Sequence, residues 1–215
     1  MTDKPAGSKK SSAGRKRATK AAPEQADLKS GKSFRWGRKV LDRDEQHRLR
    51  REILLRTAAQ AFNETSFHTT TLDDLALRLN VTKPTLYYYI KDKDDILFEC
   101  QRMALEMIRD VLDEEGGGEA SGIERLEAFL RRYAVLMTDD FGMCLVRTGL
   151  RPLKAESRSK LIRFARRIDE TMRGIIRCGI DDGSMLPDLD PRLASNAVFG
   201  AFNGIAQWYK PDRSL

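Results

Sequence analysis

The sequence predicts an all-α protein. From about residue 45 onward, apolar residues recur at spacings of three and four, which is the pattern of helices buried on one side. No series of strand-like alternations bounded by turn residues interrupts this pattern. The 215 residues are 40% hydrophobic and 33% charged, a composition typical of globular proteins with a substantial core. We therefore expect helices throughout, in one domain or two small ones.

The composition argues against several classes of protein. No apolar run approaches the roughly 18 residues of a membrane span, and no apolar stretch follows the basic N-terminus as in a signal peptide. Cys100, Cys144 and Cys178 are odd in number and lack C-x-x-C spacing, and neither His47 nor His68 lies near a cysteine. We expect a cytoplasmic protein without a membrane segment, metal or cofactor, and with reduced cysteines.

Positive charge is concentrated at the N-terminus. Residues 1–40 hold 12 of the 39 Lys and Arg and 3 of the 32 Asp and Glu, a net charge of +9, so the remainder carries −2. Residues 1–33 contain almost no large apolar side chain, and we expect residues 1–40 to form a disordered basic tail. Two roles remain open, a solubilising tail or a clamp on DNA phosphates, with Arg35, Arg38 and Lys39 nearest the folded part.

The first helices are predicted from their end signals. Helix one runs from about residue 46 to 64 and is followed by a loop over 66–70. Thr71 and Asp74 form an approximate capping box that starts a second, short helix, and Asn80 suits the left-handed conformation at its end.

A third short helix starts at Thr82 or Lys83. The choice is ambiguous, because Pro84 suits a first helical position but disfavours a helical residue before it. This helix ends near Ile90, and Asp92 caps a fourth helix.

The second half of the chain is also predicted to be helical. The stretch 114–122 is rich in glycine and charge and is interpreted as a flexible connection. Apolar spacing then predicts a helix over about 123–137, a long helix over 161–179 that ends near Gly183, and a last helix over 190–208.

Two short helices joined by a tight turn and packed on a longer one form the helix-turn-helix, whose second helix enters the DNA major groove. On a helical wheel Leu86 and Ile90 point to one side, whereas Pro84, Thr85 and Tyr88 point roughly the opposite way. Exposed aromatic residues commonly mark a binding surface, and hydroxyl groups suit phosphates and base edges. The alternative is that the tyrosines pack between helices one and four.

The segments TTLDDLA at 70–76 and LNVTKPTLYYYIKDK at 79–93, with Ile96-Leu97, resemble the TetR/AcrR family of regulators. The resemblance is strong over about residues 48–97; Asn80 and Tyr89 depart from the glycine and histidine usual there. It implies that helix 82–90 contacts the major groove, with Tyr87, Tyr89 and Lys93 on phosphates. The full set of implied DNA-binding residues is Thr70, Thr71, Thr82, Lys83, Pro84, Thr85, Tyr87, Tyr88, Tyr89 and Lys93.

The resemblance also implies a homodimer formed by the last two long helices and a small hydrophobic or acyl-type ligand. Gly200-x-x-x-Gly204, with Ala197, Ala201 and Ala206, offers small residues for a close helix contact, although an ordinary packed helix has the same pattern. Arg147, Arg151 and Arg167 are candidates for contact with an acyl, carboxylate or coenzyme A group. Ligand candidates, for which core packing is the alternative, are Met103, Met107, Tyr133, Met137, Arg147, Phe164, Met172 and Phe202.

We expect a DNA-binding domain over 41–95 and a ligand-binding and dimerisation domain over 96–215. The expected function is that of a ligand-responsive repressor that binds palindromic operator DNA as a dimer. No nucleophile with a base, metal cluster or phosphate-binding glycine loop indicates an enzyme. Two alternatives remain, a non-specific nucleoid-type protein that binds DNA through its basic tail and an adaptor that has lost DNA binding.

Overall fold

The helices predicted from the sequence are present in the computed structural model, which describes residues 43–115 and 120–210. These residues form nine α-helices and no strand. The predictions for the tail 1–40 and for Gly116-Gly117-Gly118 lie outside the described residues. The helices are α1 (Arg43–Glu64), α2 (Leu72–Leu79), α3 (Lys83–Tyr87), α4 (Lys93–Glu115), α5 (Gly122–Leu136), α6 (Asp140–Thr148), α7 (Ala155–Asp181), α8 (Pro191–Asn203) and α9 (Ile205–Trp208).

The predicted ends of α2 are confirmed. The Thr71 hydroxyl accepts a hydrogen bond from the backbone N–H of Asp74, and the Asp74 carboxylate accepts one from the backbone N–H of Thr71. Asn80 adopts the left-handed conformation (φ 53°, ψ 46°), and its N–H bonds back into the last turn. Local residue chemistry is sufficient to begin and end this eight-residue helix.

Helix α3 is shorter than predicted. Thr82 is its N-cap, which settles the choice left open by the sequence, and Pro84 lies in the first turn. The helix ends at Tyr87, after which the backbone N–H groups of Tyr89 and Ile90 both bond to the carbonyl oxygen of Leu86. Its last turn is therefore tightened rather than continued towards Ile90.

The predicted connection over 114–122 is wrong at both ends. Glu114 belongs to α4, and Gly122 is the first residue of α5, where Ser121 and Glu124 form a capping box. Gly122 is buried against α7, so the glycine that was interpreted as a flexibility signal serves close packing instead.

Helix α6 was missed by the sequence analysis. Asp139 caps it through the N–H of Phe141, and residues 141–144 are all buried. At nine residues the helix is too short for its apolar spacing to be distinctive in the sequence. Helix α7 also begins earlier than predicted, at Ala155, and the last helix is divided at Gly204.

Helix α4 packs against α1, α5, α6 and α7 and links the two predicted domains. Helix α1 also packs directly on α6, where the Arg56 guanidinium bonds to the carboxylate of Asp139 at 2.9 Å and Asn63 donates to the carbonyl oxygen of Asp140 at 2.9 Å. The core is continuous across residues 95 and 96, so the domain boundary placed there stays a prediction.

Among the described residues no helix is both long and apolar enough to cross a membrane.

We predict that Gly122→Ala destabilises the protein. A Cβ at this position would lie 2.2 Å from the backbone nitrogen of Gly179 and 2.3 Å from its Cα, so α5 and α7 would have to separate. The expected loss is roughly 1–3 kcal/mol in the free energy of unfolding, measured by urea denaturation.

The matched control is Gly174→Ala in α7, where an added Cβ meets nothing within 4 Å. Because alanine has a higher helix propensity than glycine, this substitution should raise the free energy of unfolding by about 0.5–1 kcal/mol. Equal effects of the two substitutions would contradict the close approach of α5 and α7.

Candidate nucleic-acid interface

Helices α2 and α3 form a compact pair on α1. Their apolar faces meet in the core, where Leu75, Ala76, Leu86 and Ile90 are buried. The turn at Asn80 is fixed by the N–H of Val81, which donates to the carbonyl oxygen of Ala76 at 3.0 Å. The wheel prediction for α3 is confirmed, since Leu86 and Ile90 face inward and anchor a helix too short to be stable alone.

The opposite face of α3 is exposed and carries hydroxyl groups. Tyr88 is 66% exposed and Tyr87 51%, although both are large aromatic residues. Thr82 and Thr85 are also exposed, with their hydroxyl oxygens 2.9 Å apart, and Pro84 lies between them. This face offers hydroxyl donors and apolar rings together, the combination that contacts phosphates and base edges.

Lys83 lies on the same pair of helices but already has a partner. Its ammonium group is 2.9 Å from the carboxylate of Asp73 in α2, and this hydrogen bond and charge raise the pKa of Lys83. Both groups are exposed, so a phosphate could take the place of Asp73 at little cost.

Tyr89 is held differently from its two neighbours. It is half-buried, packs against the core, and its ring centroid lies 4.8 Å from that of His47 in α1. His47 also contacts Tyr88 at 5.4 Å in an edge-on arrangement. The alternative, that the tyrosines pack between helices one and four, therefore applies in part to Tyr89, which packs on helix one, whereas Tyr87 and Tyr88 are largely exposed.

Sequence reasoning missed the first turns of α1. A cleft of about 330 Å³ lies beside the contact of His47 with the tyrosines and is lined by Arg43, Asp44, Gln46, His47, Arg50, Tyr88 and Tyr89. Arg43, His47 and Arg50 recur at spacings of four and three, which places them on one helical face. That periodicity could have indicated a basic rim beside the tyrosines.

Thr70 is the one predicted DNA-binding residue that the structure removes from this surface. Its side chain is buried, and its hydroxyl donates to the carbonyl oxygen of Ser66 at 2.8 Å and lies 3.0 Å from the hydroxyl of Thr65. Thr70 therefore closes the loop between α1 and α2 and does not present its side chain to a ligand.

Thr71 and Lys93 lie at the edge of the surface and have structural partners. The Thr71 hydroxyl donates to the Asp74 carboxylate at 2.8 Å. Lys93 lies over the Phe67 ring at 4.4 Å and donates to the carbonyl oxygen of His68 at 3.3 Å. Partial burial lowers the pKa of Lys93.

A polar network supports α3 from behind. The Arg51 guanidinium in α1 is 3.2 Å from the Glu99 carboxylate in α4 and also donates to the backbone carbonyl of Tyr89 at 3.4 Å. Burial raises the pKa of Glu99, but its bonds and ion pairs with Arg102 and Arg51 outweigh this, and the net shift is downward. Glu99 thus fixes the arginine that holds the end of the helix-turn-helix.

The predicted ligand residues are not gathered around one cavity. Tyr133, Met137 and Met172 are fully buried core residues. The Tyr133 hydroxyl donates to Asn203 at 2.7 Å and its ring lies 6.0 Å from that of Phe202, and burial raises the pKa of Tyr133. These residues pack in the core, which was the alternative to ligand binding given for each of them.

The other ligand candidates are spread over three places. Met103 and Met107 are half-buried on α4. Arg147 donates to the carbonyl oxygens of Ala206 and Tyr209, so it binds the end of α9 rather than an open pocket. Phe164 lines a cleft between α4 and α7.

The small-residue pattern of the last helix faces outward over much of its length. Ala197, Gly200 and Ala201 are exposed, and the stripe continues to Leu193 (67% exposed) and Trp208 (54% exposed). Ala206 is fully buried, because the last turn packs onto α6, and it does not belong to this stripe.

Comparison with known protein families decides the identity of this arrangement. Residues 54–100, which include α2 and α3, match the family model described as bacterial regulatory proteins of the tetR family. Residues 119–213 match the model of the C-terminal domain of tetracyclin repressor-like proteins. The chain belongs to the TetR family. TetR-family proteins are transcriptional regulators that bind DNA through a helix-turn-helix, in agreement with the resemblance in the sequence.

Similar proteins extend this assignment over most of the chain. The fatty acid metabolism regulator protein of Bacillus subtilis (strain 168) is 24% identical over 162 residues, 74% of this chain and 84% of the relative. The repressor KstR2 of Mycobacterium tuberculosis (H37Rv) is 24% identical and covers 77% of this chain and 84% of its own.

Solved TetR-like structures share the fold. PfmR from Thermus thermophilus superposes with a TM-score of 0.69 at 28% identity, covering 75% of this chain and 88% of its own. AibR, solved with isovaleryl coenzyme A and operator DNA, has a TM-score of 0.69 at 21% identity, covering 77% and 90%.

We predict that Glu99→Gln removes an acid-sensitive part of the stability. Because the folded pKa of Glu99 lies below its ordinary value of 4.5, the ionised form stabilises the fold above that pH, and the contribution is lost as the pH falls through the folded pKa. The variant should lose about 1 kcal/mol at pH 7 and match the wild type at low pH.

Denaturant unfolding between pH 7 and pH 3 measures this difference. Glu127→Gln is the control, because its pair with Arg131 is exposed and should contribute little at any pH. A stability gap for Glu99→Gln that stays constant with pH would refute the role given to the ionised carboxylate.

Proposed function

We propose that this TetR-family protein is a ligand-responsive repressor that binds a palindromic operator as a homodimer. The observation that carries the proposal is the outward face of α3, where exposed Tyr88 and Thr85 oppose the buried anchor Leu86. Family membership favours this function over the non-specific nucleoid-type alternative. We place its action in the cytoplasm with the DNA and assign it no enzymatic activity.

The DNA contacts follow from the directions of the side chains. Thr82, Thr85 and Tyr88 stand on the outer face of α3 and are assigned to base edges and the groove floor. Tyr87 and Lys83 flank them and are assigned to phosphates. The rim of Arg43, His47 and Arg50 on α1 adds basic groups to Lys83. Pro84 lies on the outer face with the threonines, and the remaining candidates at the edge are Tyr89, Thr71 and Lys93.

The proposed dimer has a physical reason independent of the family. One five-residue helix contacts too little DNA for specific binding, and a two-fold pair that contacts two half-sites is the usual solution. The exposed stripe of Leu193, Ala197, Gly200 and Trp208 on α8 and α9, which together form the last predicted helix, is an apolar surface of the required kind.

The proposed ligand is an acyl thioester of coenzyme A. The support comes from the similar proteins, which include a fatty acid metabolism regulator, a ketosteroid regulator and AibR with isovaleryl coenzyme A. A hydrophobic acyl group suits a helical domain whose core is lined with methionine and aromatic residues.

The ligand half and the DNA half are joined by a polar clamp. Lys154, the N-cap of α7, makes no side-chain cap of its own, and Asp94 in the first turn of α4 accepts its backbone N–H at 2.7 Å. Asp94 also accepts the Ser157 hydroxyl at 2.8 Å, while Lys154 bonds to Asp92 at 2.6 Å. A displacement of α7 would therefore pull on the segment that follows α3.

The proposed function is tested by selecting bound sequences from a randomised DNA pool at near-physiological salt. Full-length protein and a version lacking residues 1–40 are used in parallel. A shared palindromic motif is the expected result, with a lower salt dependence for the shorter protein. Binding that is lost with the tail, without any motif, would support the non-specific alternative instead.

Tyr88→Ala should weaken binding to the selected site by roughly 5- to 150-fold, the range for losing one good base-edge contact of about 1–3 kcal/mol. Tyr88→Phe keeps the ring and separates the contribution of the hydroxyl. Electrophoretic mobility shift measures affinity, and sedimentation confirms that the variants remain assembled. An operator affinity equal to that of the wild type would remove Tyr88 from the interface.

Asp94→Ala should loosen the start of α7. The helix loses its only described cap from a side chain, at an expected cost of about 1 kcal/mol in the free energy of unfolding. Hydrogen exchange should accelerate at the amides of residues 154–158 and remain unchanged in the exposed-aspartate control Asp188→Ala. Unaltered exchange in this turn would contradict the clamp.

A further inference from the structure

A cleft between α4 and α7 lies outside the candidate DNA interface, and its lining is apolar on one side and charged on the other. Its volume is about 420 Å³. Leu112 and Ile168 are buried and form an apolar inner wall, and the half-buried ring of Phe164 lies beside them. The remaining lining residues are polar or charged, namely Glu106, Arg109, Asp113, Arg167 and Thr171.

Cations lie against the aromatic ring of this cleft. The guanidinium groups of Arg109 and Arg167 are 5.7 Å and 5.5 Å from the centroid of the Phe164 ring. Planar guanidinium and phenyl groups form a surface on which a flat aromatic base can stack.

The acidic residues of the cleft are already compensated. Glu106 is paired with Arg102, and Asp113 lies 3.8 Å from Arg109, which also pairs with Asp110. Arg167 has no carboxylate partner among the described residues, so its charge is available to a ligand.

The positive charge continues into an adjoining depression of about 480 Å³ on α7. Lys160, Arg163, Arg166 and Arg167 line it, and of these Lys160 is paired with Glu156 at 2.6 Å. Within the described ranges Arg163, Arg166 and Arg167 have no ion pair. Three uncompensated guanidinium groups within five residues repel one another and favour a bound anion.

We propose that this surface binds the phosphate-bearing nucleotide end of a coenzyme A thioester. The inference rests on the proposed function, which assigns the ligand class but not its place. Arginine matches phosphate through paired hydrogen bonds, and the Phe164 platform suits a purine. The acyl end then enters along Leu112 and Ile168, the inner wall of the same cleft.

A DNA duplex fits this surface poorly. The apolar inner wall of the cleft lies between two helices, where a small ligand can enter but a rod-shaped duplex cannot. A second subunit is the other occupant to be tested, and the experiment separates it from the nucleotide.

The test is isothermal titration of the full-length protein with coenzyme A and with pantetheine, which lacks the nucleotide and all phosphates. Neither probe depends on the identity of the acyl group. Coenzyme A should bind at least about tenfold more tightly than pantetheine. Arg163→Gln and Arg167→Gln should each weaken coenzyme A binding about tenfold and leave pantetheine binding unchanged.

The control is Arg131→Gln, which removes an exposed arginine on α5 that is paired with Glu127 and should not change either affinity. Equal binding of the two probes, an unchanged affinity in both α7 variants, or an equal loss in the control would overturn the proposal. So would dissociation of the α7 variants into monomers in sedimentation, since the arginines would then serve the subunit interface.

Operator binding separates this proposal from the proposed function. All three variants should bind the selected DNA site like the wild type when no ligand is present. Failure of the wild type to select a DNA motif would reject the repressor, whereas failure of the α7 variants to change coenzyme A affinity rejects only the nucleotide site.

Discussion

Burial of one apolar face of α4 is the interaction on which both halves of the molecule depend. Near its start Cys100 is fully buried and its thiol lies 3.3 Å from the carbonyl oxygen of Leu55 in α1. Farther along, Ala104, Ile108 and Leu112 lie in the same core. Helix α4 begins three residues after Ile90, so the position of the helix-turn-helix follows from how this one helix is packed.

A buried amide sets the alignment of α4 with α6. Gln101 is fully buried, and its side-chain amide donates to the backbone carbonyls of Cys144 at 3.2 Å and Gly149 at 3.3 Å. The side-chain oxygen of Gln101 has no hydrogen-bond partner among the described residues, so the amide nitrogen makes the contacts that fix the helices. Sliding α4 past α6 would leave this nitrogen unsatisfied as well. The Asp94 clamp and the Arg56 pair, by contrast, cross from the DNA half to the effector half.

The sequence was most informative where structure is decided locally. Thr71 with Asp74, the left-handed Asn80 and the opposed directions of Leu86 and Tyr88 follow from capping and helix periodicity, so the helix-turn-helix could be predicted from its own residues. About half of the candidate site was predictable in this way, namely the face of α3 and the residues beside it.

The remainder required tertiary information. The resemblance assigned Thr70 to DNA, but Thr70 is buried because it closes the loop between α1 and α2. Arg147 was a ligand candidate, but it binds the carbonyl oxygen of Ala206 in α9, which is 59 residues away in the sequence. Gly122 lies in a glycine-rich stretch that resembles a linker, but in the structure it is the point where α5 packs closely against α7. The cleft beside the basic rim of α1 and the cleft between α4 and α7 form only when helices distant in the sequence pack together.

In the proposed complex two copies of α3 contact the major groove on one face of the operator. A dimethyl sulfate footprint of the full-length protein on its selected site tests this contact, because the reagent attacks guanine N7 in the major groove. Two protected segments whose centres lie about one helical turn apart, roughly 10 base pairs, are the predicted result. Unprotected guanine N7 atoms at a fully occupied site would show that α3 does not lie in the major groove.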